Sequence, residues 1–142
     1  MPNLTLEQAI TIARATLEKG REAGFKPLTV AVLDDAGVIK VVHRDDGSSL
    51  LRPDIAVGKA WGSLGMGLSS RAIGELAAER PQFAASLAVL AGGRVVPVAG
   101  GVLVRDGSGD VVGAVGVTGD TSDNDEECAL HGIEAAGLQA GR

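Results

Sequence analysis

Acidic side chains are concentrated near the end of the chain, directly after its last apolar run. Asp123, Asp125, Glu126 and Glu127 lie within five consecutive residues, and Asp120 precedes them. Carboxylates grouped in this way can bind a hard cation, although the spacing lacks the central glycine and the terminal glutamate of a calcium loop. Acids at a helix start also oppose its macrodipole and accept hydrogen bonds from its free amides. We favour this helix-start interpretation, with one or two of the acids bordering a pocket.

A lysine and a group of glycines are two further features around which a ligand site could form. Lys59 lies in a segment otherwise rich in small and apolar residues, so its amine either reaches solvent or points at an anionic group. Gly100, Gly101, Gly113 and Gly116 fall within or beside β-branched runs. Glycines inside strands commonly mark a bulge or the close approach of another backbone or a ligand. They therefore predict a tightly packed surface without identifying what approaches it.

His43 combines a half-buried pattern with a side chain that can bind metals. It alternates with Ile39 and Val41, so its ring is expected on the apolar side of a strand, and Arg44 and Asp46 follow in the next loop. A half-buried structural role is the favoured interpretation, and ligation of a metal or of a haem iron is the alternative.

Several classes of function are disfavoured by what the sequence lacks. No Gly-x-Gly-x-x-Gly opens a helix, no phosphate loop surrounds Lys59, and no Gly-x-Ser-x-Gly elbow occurs. The net charge of -5 and the 2% aromatic content oppose binding to nucleic acid. The first residues show neither a basic leader nor a membrane-spanning apolar run, and the lone Cys128 fits a reducing compartment. We therefore predict a cytoplasmic protein without a membrane or nucleic-acid partner.

Hydrophobic periodicity predicts the elements that must hold these groups. Thr5 to Gln8 has capping-box spacing and opens an amphipathic helix that ends near Gly20 or Gly24. Further elements follow in order: a hairpin at residues 28–43, two or three helices at 51–90, a hairpin at 100–118 and a helix from Ser122. This order of helix, hairpin, helices, hairpin, helix favours the α+β class, a central antiparallel β-sheet flanked by helices. With no repeat and no linker, residues 1–142 are expected to form one domain.

Five segments together resemble the GlcG/HbpS-like family, haem-binding proteins related to the C-terminal domain of PduO-type proteins. The segments are RDDG at 44–47, IAVGKA at 55–60, GGRVVPVAGGV at 92–102, VGAVGVTG at 112–119 and DNDEECA at 123–129. Each is short, but their order and spacing extend over most of the chain.

The resemblance implies a profilin-like arrangement of sheet and helices, and assembly into dimers, tetramers or octamers. It also implies binding of haem or a related tetrapyrrole. The first helix has no histidine, where some relatives offer one to the iron, so His43 is the first candidate for the metal ligand. Lys59 or Arg44 is the candidate for pairing with a propionate. The rest of the implied cofactor site consists of Asp46, Gly100, Gly101, Asp123 and Glu127.

Two other functions stay open from the sequence. An enzyme acting on a small hydroxy or oxo acid would use Lys59 to hold a carboxylate, with Asp123, Glu126 or Glu127 as general base. That function requires a carboxylate buried in a pocket, with a raised pKa. A ligand-free oligomerisation module is the other. A homo-oligomer that binds haem or another small anionic ligand is the favoured expectation, and no residue is assigned a catalytic role.

Overall fold

The computed structural model describes residues 3–141, which form five helices and five strands. In chain order these are α1 (Leu6–Glu22), β1 (Thr29–Asp34), β2 (Ile39–Arg44), α2 (Arg52–Met66), α3 (Ser70–Glu79), α4 (Pro81–Leu90), β3 (Gly101–Arg105), β4 (Val111–Thr118), α5 (Ser122–Ala135) and β5 (Gln139–Gly141). The predicted α+β class is confirmed, and β5 is an element that the sequence did not predict.

Local sequence signals account for where the helices begin and end. Thr5 and Gln8 form the predicted capping box of α1, each side chain accepting a hydrogen bond from the other residue's backbone amide. Pro81 opens α4, and Pro53 lies in the first turn of α2, positions where the missing proline N–H costs nothing. Gly67 ends α2 with a φ of 68°, a backbone conformation that glycine adopts without strain.

The two hairpins join into one antiparallel sheet with the strand order β2-β1-β4-β3-β5. The contact between the hairpins is the pairing of β1 with β4, in which Thr29 lies opposite Thr118 and Asp34 opposite Gly113. The short strand β5 adds to the far side of β3. As a result, β4 and β1 lie in the middle of the sheet, and β2 forms one edge.

Helices cover both faces of this sheet. Helices α1 and α5 pack on one face around the larger hydrophobic cluster, which includes Val30, Val32, Val115 and Val117. Helix α2 packs on the other face around a smaller cluster containing Leu33, Leu103 and Ala114. Alternate strand residues therefore face different helices, as the two-residue repeat of a strand requires.

The strand glycines allow α2 to lie directly on the sheet. A Cβ atom at Gly116 would overlap the carbonyl group of Ala56, and one at Gly101 would overlap that of Lys59. The close approach predicted for these glycines is therefore that of a helix backbone. It fixes the height of Lys59 above the sheet.

We expect Gly116→Ala to lower the free energy of unfolding by roughly 1–3 kcal/mol, because the added methyl group would push α2 away from β4. Urea denaturation of the purified protein measures the change. Gly107→Ala is the matched control, since Gly107 is exposed in the β3–β4 turn and a Cβ there would have no neighbour within 4 Å. Equal, small effects in both variants would contradict the assignment of Gly116 to a helix contact.

Candidate functional site

A buried ion pair lies at the end of the sheet where β4 finishes. The amine of Lys59 donates a hydrogen bond to the carbonyl oxygen of Val117 at 2.8 Å and lies 3.4 Å from Oδ2 of Asp125. Both side chains are only 2% exposed. Of the two interpretations left open for Lys59, the one in which its amine points at an anionic group is therefore confirmed, and the anion belongs to the chain itself.

The pair connects helices from opposite faces of the sheet. Lys59 comes from α2 and Asp125 from the first turn of α5. The lysine passes Gly100, where a Cβ atom would lie 2.7 Å from Nζ, so a side chain at this position would block its path. Oδ1 of Asp125 accepts the backbone N–H of Asp120 at 2.9 Å. The carboxylate thus also holds the turn between β4 and α5.

Burial shifts both groups of the pair towards their neutral forms. Loss of water lowers the pKa of Lys59, and the charge of Asp125 opposes that shift. Loss of water also raises the pKa of Asp125, against the hydrogen bond from Asp120 and the charge of Lys59. The charge of Lys59 is therefore stabilised in the interior mainly by Asp125, and the charge of Asp125 by the N–H of Asp120 together with Lys59.

A second ion-pair group joins α3 to the same end of α5. Nε of Arg71 donates to Glu126 Oε2 at 3.1 Å, and its Nη2 bonds to Asp123. These two carboxylates raise the pKa of Arg71. Glu126 is largely buried, with 10% of its side chain exposed, whereas 81% of the Asp123 side chain is exposed.

The interpretation of the acids as a helix start that opposes the macrodipole is confirmed, whereas their role as caps is corrected. Asp123 and Asp125 do lie in the first turn of α5, but Thr121 supplies the cap, because its hydroxyl accepts the backbone N–H of Asn124. Asp125 instead pairs with Lys59, and Asp123 and Glu126 pair with Arg71. Within residues 3–141, no group of three or more potential metal-ligating side chains comes together.

The residues predicted as a cofactor site do not all converge. Lys59, Gly100 and Gly101 meet at the end of the sheet. His43 is half-buried and lies opposite Val30, which places its ring on the α1 face as predicted. Arg44, the next residue along the strand, faces the α2 side. The remaining predicted residues are exposed: Asp46 in the loop after β2, and Asp123 and Glu127 on α5.

Asp125 and Arg71 are the residues whose parts in this site the sequence did not reveal. For Asp125 the signal was present, because Asp125, Ala129 and Ile133 are spaced four residues apart and all three are buried. Extending the apolar stripe of α5 backwards by one turn would have identified it as the inward-facing acid. For Arg71 we find no comparable signal in its own helix.

The fold and the site define an α+β protein in which a five-stranded antiparallel sheet lies between helices joined by a buried lysine–aspartate pair. The chain belongs to the HbpS-like family: the model described as haem degrading protein HbpS-like matches residues 4–134. No curated protein matched the chain.

The chain is similar to several solved structures, and the similarity covers nearly its whole length. A double mutant of Streptomyces reticuli HbpS is 29% identical, with a TM-score of 0.81 over 94% of this chain and 87% of the other. The Klebsiella pneumoniae protein ORFY is 25% identical, with a TM-score of 0.86 over 96% and 93%. The PduOC–haem complex is 22% identical, with a TM-score of 0.88 over 99% and 100%, and shows the shared fold.

The hollows of residues 3–141 that reach the size of a ligand site are open at the surface: one of about 360 Å³ lies at the start of α4, and one of about 400 Å³ lies between α3 and the start of α5. Two apolar ones are smaller. An apolar cavity of about 60 Å³ lies between α3 and α4, and an apolar groove of about 200 Å³ lies between α2 and α4, lined by Trp61, Met66 and Leu90 among others. Sites that enclose ligands of drug size or larger have volumes of roughly 300–1,000 Å³. His43 lines none of these four hollows. A haem bound through His43 would therefore lie at the surface, outside these hollows.

Proposed function

We propose that this protein is a homo-oligomer that binds haem or a related tetrapyrrole at its surface. The support is membership of the HbpS-like family, together with structural similarity to HbpS itself at 27% identity. The observation that carries the proposal to a particular residue is the half-buried imidazole of His43. A histidine is the commonest protein donor to haem iron, and bound haem would bring redox or oxygen chemistry that the side chains alone lack.

The position of His43 suits a donor to a ligand at the surface. Strand β2 is an edge of the sheet, so a planar ligand can approach the ring from the side without displacing another strand. Next to it on the same face is the buried Val41, which continues the apolar surface of the core. The other histidine, His131, is exposed on α5 and lacks this apolar surrounding.

Helix α4 supports the oligomeric part of the proposal. Its sequence, PQFAASLAVL, contains no charged residue, yet none of its residues is buried. Val89 and Leu90 are 82% and 84% exposed. An exposed apolar surface of this kind commonly marks a contact with another molecule. In a chain with a net charge of -5, an uncharged face allows a second copy to approach with little repulsion.

The enzymatic alternative has weaker support in the geometry. The side chain of Lys59 is 2% exposed and its amine is already bound to Val117 and Asp125, so a substrate carboxylate cannot reach it without local opening. Asp123 and Glu127 are exposed, and Glu126 is bound to Arg71. None of these three acids has the buried, unpaired carboxylate that a general base with a raised pKa requires.

A haem titration tests both the ligand and the residue. We expect the wild-type protein to give a saturable shift of the Soret band, and His43→Ala to lose at least about tenfold in affinity because one iron ligand is removed. His131→Ala is the matched control and is expected to titrate like the wild type. A wild-type spectrum identical to that of free haem would contradict haem binding. If His43→Ala titrates like the wild type, the role of His43 is contradicted but haem binding is not.

A further inference from the structure

Two arginines near the start of α2 have no carboxylate partner among residues 3–141. Nη1 of Arg44 donates to the carbonyl oxygen of Ser48 at 2.8 Å, and Nη1 of Arg52 donates to Oγ1 of Thr118 at 2.8 Å. The ion pairs of residues 3–141 involve other cations: Arg21, Lys59 and Arg71. Both guanidinium groups therefore keep donors available at this end of the sheet, since each has five N–H groups.

The first turn of α2 keeps one free backbone N–H, that of Asp54, because the N–H of Arg52 is bonded to Ser49 and Pro53 has none. The N-cap residue of this helix is Leu51, and no side chain accepts a hydrogen bond from the amides of the first turn. The backbone N–H of Arg52 bonds to the carbonyl of Ser49, which places α2 directly after the turn that holds Arg44. The acid of that first turn, Asp54, is exposed. The positive end of the helix dipole thus adds to the two guanidinium charges.

A buried hydroxyl beside these arginines lacks a hydrogen-bond partner. Thr29 is fully buried, and its Oγ1 is one of two such unpaired atoms among the described residues. Thr29 lies directly opposite Arg44 on one side and directly opposite Thr118 on the other. Residues paired in this way project from the same face of a sheet. The hydroxyl therefore projects from the face on which Arg52 bonds to Thr118, under the start of α2.

We propose that Arg44, Arg52, Thr29 and the N-terminus of α2 form a binding site for a compact oxyanion, a carboxylate or a phosphate. Two planar guanidinium groups bind such an anion through paired hydrogen bonds. The hydroxyl of Thr29 has no exposed surface, so it donates one more hydrogen bond only after local opening at the start of α2. The site is on the opposite face of the sheet from His43. It is therefore independent of the proposed haem ligand, and each proposal can fail without the other.

Anion binding can be measured by calorimetry with inorganic phosphate and with succinate, at constant ionic strength in chloride. We expect saturable binding of at least one of them to the wild type, and at least a tenfold loss of affinity in Arg52→Gln. Arg44→Gln is expected to show the same loss, and because Arg44 is exposed it keeps the test usable if the first variant folds poorly. No saturable binding above the chloride background would overturn the proposal.

Arg105→Gln is the matched control for charge. Arg105 also donates from Nη1 to a carbonyl four residues ahead, that of Gly109, but it lies at the turn of the other hairpin. Arg105→Gln is expected to bind the anion like the wild type. If it lost as much affinity as Arg52→Gln, a general charge effect would explain the binding and the proposed site would be overturned.

Thr29→Val tests the buried hydroxyl separately. Without anion, this variant is expected to have a higher melting temperature, because an unpaired buried hydroxyl is removed. Its affinity for the anion is expected to be lower. A lower melting temperature together with an unchanged affinity for the anion would overturn the role of Thr29 as a donor in this site.

The source of the oxyanion is distinguished by competition. If the site takes a propionate of a tetrapyrrole whose iron is not bound by His43 of the same chain, phosphate will raise the apparent dissociation constant of haem equally in the wild type and in His43→Ala. If it takes a free anion, haem and phosphate will bind independently. Either result supports an oxyanion site, whereas phosphate binding that is lost in His43→Ala would overturn its placement on the α2 face.

Discussion

Replacing Lys59 by methionine is expected to lower the free energy of unfolding by about 3–5 kcal/mol. Methionine keeps most of the length and volume of lysine but removes its charge, so Asp125 is left buried and without its counter-ion. The carbonyl of Val117 also loses its bond from the amine. Because a folded domain is stable by only about 5–15 kcal/mol, such a loss is a large share of the total. Urea denaturation at pH 7, with the wild type measured alongside, gives the difference.

The pH dependence of this variant separates a lost charge from a lost contact. Without Lys59, burial holds the pKa of Asp125 above its ordinary value, so the folded state binds a proton more readily than the unfolded state. Stability then rises as the pH falls, because stability decreases with pH wherever the folded state binds more protons. The deficit of Lys59→Met should therefore shrink as the pH falls from 7 towards the ordinary pKa of an aspartate, about 4. A deficit that is constant with pH would contradict this explanation.

The double variant Lys59→Met/Asp125→Asn provides the control. Asparagine keeps an oxygen for the backbone N–H of Asp120 and carries no charge to be stranded. We expect the double variant to be about 1–2 kcal/mol more stable than Lys59→Met alone, since removing both charges of a buried pair costs less than removing one. A cost of less than about 1 kcal/mol for the single variant, as in volume-conserving core exchanges, would show that the pair contributes little.

The fold could be predicted because its elements carry local signals. The capping box at Thr5, the β-branched runs of both hairpins and the prolines of α2 and α4 each specify a boundary without reference to the rest of the chain. Strand β5 carries no such signal. Its three residues, Gln139–Gly141, extend the sheet because the edge of β3 is there to pair with, and that edge exists only in the folded chain.

The site was predicted less completely because it depends on contacts between distant residues. Lys59 and Asp125 are 66 positions apart, so nothing near Lys59 indicates which anion its amine would meet. Asp123 and Glu127 were predicted for the cofactor site, but the helical periodicity of α5 indicates that Asp125 is the acid that faces inwards. Likewise, strand alternation alone places His43 and Arg44 on opposite faces of β2, which argues against one haem contacting both within a single chain.

Introducing charge on α4 is expected to dissociate the proposed oligomer. In the variant Val89→Glu/Leu90→Glu, each copy carries two carboxylates on a helix that otherwise has no charged residue. If α4 meets a second copy, these charges lose water and face like charges, which costs several kcal/mol. We expect a dissociation constant at least about a hundredfold higher, seen as a shift from oligomer to monomer in sedimentation velocity at micromolar concentration.

The effect on folding should be small, which makes the loss of assembly interpretable. Val89 and Leu90 are 82% and 84% exposed, so the core loses no packing when they change, and circular dichroism should match that of the wild type. Val38→Glu/Ile39→Glu adds the same charge to exposed apolar residues at the first hairpin, 60% and 52% exposed, and is expected to leave the oligomer intact. Dissociation in this second variant, or a wild type that sediments as a monomer, would contradict α4 as the surface of self-association. An intact oligomer in the α4 variant would also contradict self-association through α4, because a closed apolar contact cannot take in two desolvated carboxylates per copy without cost.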